Sequence, residues 1–201
     1  MRDIKSIIFH HSATPQSQTL EKSVASFNRS HRARRHPNPN GYGLHVAYHF
    51  VIGEHGKLEK TRPLAEVGYH AWDWKTNQES VWICFVWNFQ KEHPTAEQYA
   101  TAIKLVEELQ GGFPSLKLFK HNQVKKWTSC PGVHFNLQVI KEWLSKEKRS
   151  DPIHDKQYLS ELKALEYHLS AFRGQTKKSP LRKECNLLAE MIREEQKDYS
   201  Q

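Results

Sequence analysis

The stretch Val81-Trp-Ile-Cys-Phe-Val-Trp87 carries no charged side chain. So short an apolar run suits a strand covered on both faces, the kind found in the middle of a parallel sheet. Outward from it the chain alternates. Upstream, Ile4 to Phe9 reads as a first strand. Thr19 caps a helix to about His31, with Leu20, Val24 and Phe27 at helical spacing. Val46 to Ile52 reads as a second strand, and Gly53-Glu-His-Gly56 as a turn into a third around Lys57–Thr61. Downstream, Thr95-Ala-Glu-Gln98 has the form of a capping box, opening a helix to about Leu109 that Gly111-Gly112 stops. Leu116 to Phe119 is a short strand, and Asn136 to Lys146 a further helix. This alternation predicts an α/β (mixed α+β) domain over residues 1–147, a central mixed β-sheet flanked by helices.

Two segments stand apart. Arg29 to Gly43 is basic, then rich in proline, asparagine and glycine, and reads as a loop. Ser150-Asp-Pro152 breaks the chain, and residues 151–201 carry two helical patterns. Leu159, Leu162, Leu165, Leu169 and Phe172 mark the first; Ser179-Pro180 opens the second, with Leu181, Cys185, Leu188 and Ile192. A C-terminal helical hairpin is expected there, for packing, self-association or targeting.

Composition narrows the function. A hydrophobic content of 37% and six tryptophans point to a globular protein rather than a disordered one. No stretch approaches the roughly 20 apolar residues of a membrane span. Cys84, Cys130 and Cys185 are odd in number and widely spaced, which argues against a disulfide framework. The net charge is +8, and because acidic and basic side chains balance over residues 151–201, the whole excess lies in residues 1–150. Such a domain favours anionic partners, cell-wall polymer or nucleic acid, unless the charge serves only solubility. Arg29, Arg32, Arg34 and Arg35 could neutralise phosphates, but no nucleic-acid reading motif accompanies them, which disfavours that partner.

The chemistry concentrates in His121-Asn-Gln-Val-Lys-Lys-Trp-Thr-Ser-Cys130-Pro-Gly132 and in His10-His11, which closes the first strand. One thiolate and two imidazoles are ligands that zinc prefers, and three protein ligands leave a fourth position for water, the mark of a catalytic site. Zinc in such a site activates water and polarises a carbonyl, so hydrolysis is the expected reaction.

Phe9-His-His-Ser-Ala-Thr14, Ala47-Tyr-His-Phe50, Val67-Gly-Tyr-His-Ala71 and His121 through Cys130-Pro-Gly132 occur in that order. Together, over about residues 4–143, they resemble the zinc-dependent N-acetylmuramoyl-L-alanine amidases, the group shared by phage endolysins and animal peptidoglycan recognition proteins. The resemblance implies a zinc cleft at the strand ends holding one Zn2+ per chain, with His10, His121 and Cys130 as ligands and His11 outside the set. It assigns Tyr48 a catalytic role, orienting the metal water or the scissile carbonyl, against the alternative of a core tyrosine. It places His70 in the cleft, and His49, Trp72 and Trp127 join it as substrate-binding candidates, with Trp74 a further platform for sugar or stem peptide. Trp82, Trp87 and Trp143 read as core. Thr128 stands where many phage members carry lysine, so the oxyanion role falls to Thr128 or to Lys126.

The implied activity is hydrolysis of the amide between N-acetylmuramic acid and L-alanine in bacterial peptidoglycan, by a phage or prophage endolysin. A non-catalytic peptidoglycan-binding or regulatory protein on the same fold is the alternative. Because the amino terminus lacks a signal peptide's apolar segment, the expectation is cytoplasmic synthesis followed by holin-dependent release to the wall. The C-terminal helices leave a homodimer open.

Overall fold

The structure, a computed structural model, describes residues 2–34, 38–69 and 73–147. The expected hairpin at 151–201, together with Arg35, His70, Trp72 and Cys185, lies outside the described residues. The chain divides into two units, and the account below concerns the first, Met1–Leu144, with its last helix followed to Glu147.

The elements run β1 (Ser6–His11), α1 (Leu20–Arg34), β2 (Phe50–Ile52), β3 (Leu58–Lys60), α2 (Trp74–Gln78), β4 (Ser80–Phe85), α3 (Ala96–Gly112), β5 (Lys117–Lys120), α4 (His121–Val124) and α5 (Leu137–Glu147). One five-stranded sheet has the order β3-β2-β4-β1-β5. Every pairing is parallel except β2 with the edge strand β3, so the sheet is mixed, as the sequence predicts. The apolar run does occupy the centre: all six residues of β4 are buried, between β1 and β2. Parallel strands joined by helices are covered on both faces, which is why β4 shows no polar alternation.

Strand alternation sorts side chains onto two faces. In the parallel register Ile8 lies beside Trp82, Phe9 beside Ile83 and His10 beside Cys84. Phe9 and Phe85 share one face and build an aromatic cluster with Phe89, Phe135 and Tyr99, with ring centroids 5.1–6.4 Å apart. His10 and Trp82 share the other face, their rings 4.9 Å apart. Adjacent residues of one strand thus serve the core and the site respectively.

Several boundaries differ from the sequence reading. The second strand is not Val46–Ile52 but only Phe50–Ile52, because side chains take the place of a ladder before it. His45 N–H donates to Asn28 Oδ1 at 2.6 Å, and Ala47 N–H to His31 Nδ1 at 3.1 Å. The Val46 carbonyl accepts from Arg62 Nε at 3.0 Å. Helix α1 runs on to Arg34, so Arg29 and Arg32 are exposed helical positions rather than loop. The short α2 went unforeseen; Asp73 caps it by accepting from Thr76 N–H at 2.7 Å. The capping box at Thr95 forms as expected, with Gln98 N–H on Thr95 Oγ1 at 3.1 Å and Thr95 N–H on Gln98 Oε1 at 3.0 Å. Trp82 and Trp87 are buried as expected, whereas Trp143 is 40% exposed on α5 and is not a core residue.

Candidate metal centre and its cleft

His10 is the last residue but one of β1, beside the central strand, with its side chain on the face opposite the aromatic cluster. His121 begins α4, immediately after β5, which pairs with β1 on the other side. One turn of helix fixes it: Lys120 N–H donates to Gln123 Oε1 at 2.7 Å, and Lys125 N–H to the His121 carbonyl at 2.9 Å. Cys130 returns on the following loop. Its carbonyl accepts from Asn122 N–H at 2.9 Å, so the nine-residue spacing becomes a closed loop.

The three side chains converge. Their ligand atoms all lie within 4.8 Å of one another, and this is the one such grouping among the described residues. His10 Nδ1 stands 3.5 Å from Cys130 Sγ, and the two imidazole rings are 4.2 Å apart at centroid. Zinc bonds of about 2.0 Å to nitrogen and 2.3 Å to sulfur span a tetrahedral edge of roughly 3.5 Å. The donor set and the one measured edge therefore fit zinc.

Burial pushes the Cys130 thiol up to about 12, although His11 N–H, 3.4 Å from Sγ, works against that rise. A thiolate there needs a cation beside it. Trp82 braces the imidazoles from below, tilted against His10 and edge-on to His121. It marks a supporting role that sequence reading misses, since a tryptophan in an apolar strand looks like any other core residue. Gly68 is part of the same packing, because a Cβ there would collide with the Trp82 indole.

His11 goes to the opposite face. Its Nδ1 accepts from Phe89 N–H at 3.0 Å, and burial lowers its pKa to about 4, so it stays neutral and outside the ligand set. Tyr48 sits beside the centre, its ring 5.4 Å from His10 and further held by Phe27 and His31. Burial, reinforced by the sulfurs of Cys84 and Cys130, holds its hydroxyl well above the usual tyrosine range. Thr128 Oγ1 accepts from Cys130 N–H at 3.2 Å, leaving its own O–H to donate. Lys126 is exposed on the same loop, and Trp127 is 94% exposed beside Thr128.

His49 corrects a sequence expectation. It is fully buried, accepts from Trp82 N–H through Nδ1 at 3.0 Å, and places Nε2 3.0 Å from the Glu66 carbonyl. Both ring nitrogens serve the fold, so it has no atom to offer a substrate. The neighbouring Arg2 guanidinium donates to the carbonyls of Gln78, Leu64, Glu66, Asn77 and Ser80, pinning the chain's start across α2 and β4. Among the described residues Tyr69 and Trp74 form an exposed aromatic pair, 5.9 Å apart, on either side of the segment holding His70 and Trp72.

Comparison with known proteins assigns the family. Residues 1–133 match the family described as N-acetylmuramoyl-L-alanine amidase. The chain is 26% identical over 152 residues to a peptidoglycan-recognition protein of Drosophila melanogaster, covering 71% of this chain and 76% of that one. It is 32% identical over 100 residues to an endolysin of Enterobacteria phage K11, covering 47% and 63%. Among solved structures, the amidase LysC of Clostridium intestinale superposes with a TM-score of 0.60 at 26% identity, covering 72% of this chain and 87% of that one.

Proposed function

The chain belongs to the N-acetylmuramoyl-L-alanine amidase family, and from that premise we propose that it is a zinc-dependent peptidoglycan hydrolase cutting the bond between N-acetylmuramic acid and L-alanine. The observation that carries the proposal is the convergence of His10, His121 and Cys130, two imidazoles and one thiol drawn from two strand ends and a loop. Zinc bound there supplies Lewis acidity and a water of lowered pKa.

The protein's own groups do the rest. Tyr48, whose hydroxyl keeps its proton throughout the neutral range, acts as a hydrogen-bond donor rather than a base. It orients the attacking water or the scissile carbonyl. Thr128 is the better placed of the two oxyanion candidates, since its oxygen is anchored to the Cys130 backbone and its O–H is left to donate. Lys126, exposed on the same loop, adds positive charge at the rim. The exposed Trp127 ring, with Trp74 beside Tyr69, offers flat apolar surface to sugar rings or stem peptide.

The similarity to a phage endolysin favours a lytic enzyme of phage or prophage origin, made in the cytoplasm and released to the wall. A second reading, a peptidoglycan-binding protein, rests on the similarity to a recognition protein. One experiment separates them. Purified peptidoglycan is digested with zinc-loaded protein, and with chelator-treated protein as control, and soluble products are read by mass spectrometry. Stem peptides with a free L-alanine amine, lost on chelation, establish the amidase; sedimentation with sacculi without peptide release establishes the binder.

A further inference from the structure

A second histidine pair lies outside the centre just described. His93, in the loop between β4 and α3, faces His134, in the segment between Cys130 and α5. Their ring centroids are 4.2 Å apart at an interplanar angle of 36°. The two imidazoles of the candidate zinc centre, His10 and His121, stand at the same 4.2 Å and at 44°. The molecule thus repeats one ring arrangement twice, once buried with a thiol and once at the surface. His93 is exposed and His134 half-buried, so this second pair is open to solvent ions.

The ligand chemistry of the pair suits a cation. Neutral imidazoles present lone pairs, and imidazole suits zinc, nickel and copper. The two segments are also locked together already. His134 N–H donates to the Phe89 carbonyl at 3.0 Å, and Gln90 Nε2 to the Ser129 carbonyl at 3.2 Å. A site spanning them is therefore preorganised and costs little ordering entropy to fill.

We propose that His93 and His134 form a second, surface site for a first-row divalent transition ion, which ties the β4–α3 loop to the segment carrying Cys130. Two protein ligands leave the remaining positions to water, so the site is weaker and more exchangeable than the three-ligand centre. It stands apart from the amidase reading: it needs neither peptidoglycan nor turnover.

The test uses the full-length, untagged protein. Metal-free protein is titrated with zinc chloride by calorimetry, alongside H93Q, H134Q and the double variant. Wild type is expected to take a second equivalent, weaker than the first. Each single variant is expected to lose that equivalent while keeping the first, with an unchanged circular dichroism spectrum. His93 is exposed and the His134 bond to Phe89 uses only backbone, so both variants should fold. C130S gives the reciprocal control, losing the tight equivalent and keeping the weak one. Wild type binding one equivalent only, or a second equivalent that persists in the double variant, would overturn the proposal.

Discussion

Gly132→Ala is the sharpest test of how the loop geometry sets the metal centre. Gly132 has φ +104°, a region that costs a residue with a Cβ about 1–3 kcal/mol. A Cβ added there would lie 2.8 Å from Gln90 N and would overlap the Phe89 carbonyl carbon and oxygen. These are backbone atoms of the β4–α3 loop, so no side-chain rotation relieves the overlap. Overpacking of this kind adds about 1–3 kcal/mol. Together the substitution should cost about 2–6 kcal/mol, and at about 2–4 °C per kcal/mol for a chain of this size it should lower Tm by at least about 4 °C. Relief by moving the loop would carry Cys130, two residues back, away from its 3.5 Å approach to His10. Zinc affinity should then fall together with stability. Scanning calorimetry reads the first effect and competition with a chromophoric chelator the second. A variant with wild-type Tm and wild-type zinc affinity would refute the claim that the Phe89–Gln90 backbone sets the Cys130 loop.

Tyr48→Phe should retain zinc and lose only about 1 kcal/mol of stability, while kcat falls by about 10²–10⁴-fold; an unchanged kcat would return Tyr48 to the core. Zinc affinity should climb by about tenfold per pH unit between about pH 7 and 9, because the Cys130 thiol, held up to about 12 by burial, must shed its proton for each ion bound. A flat profile there, measured by chelator competition, would mean that Cys130 is not a ligand. Acid should destabilise the domain through His49. Its folded pKa is lowered to about 3 from 6.5, mainly by burial, so the unfolded chain takes up a proton that the folded one refuses. That contribution is fully present above about pH 6.5 and is lost at about 1.4 kcal/mol per pH unit as pH falls toward 3. His49→Gln should show a shallower acid slope in urea melts, and an identical slope would contradict the assignment.

Local signals survived folding where the physics is local. The Thr95 capping box, the apolar β4 run and the end of β1 at His10-His11 depend on neighbours a few residues away, so they were legible. Val46–Tyr48 was not, because its backbone bonds run to His31, Thr61 and Arg62, far off in sequence. His49 misled for a similar reason. A histidine beside Tyr48 in a site motif looks like chemistry until the fold closes Trp82 N–H and the Glu66 carbonyl onto its ring.

The sequence by itself determined the order of the strands and of the three longer helices, the mixed α/β class, and the residue types able to hold a metal, since periodicity and ligand chemistry are written residue by residue. The tertiary structure alone decided which of those residues meet. Strand alternation sends His10 to the metal face and His11 to Phe89. The parallel register sets Trp82 beneath His10 and His121, and the Asn122–Cys130 bond brings the thiol back to them. Those outcomes depend on which face of a sheet a side chain takes and which distant backbone it meets, and both are fixed only when the whole chain packs.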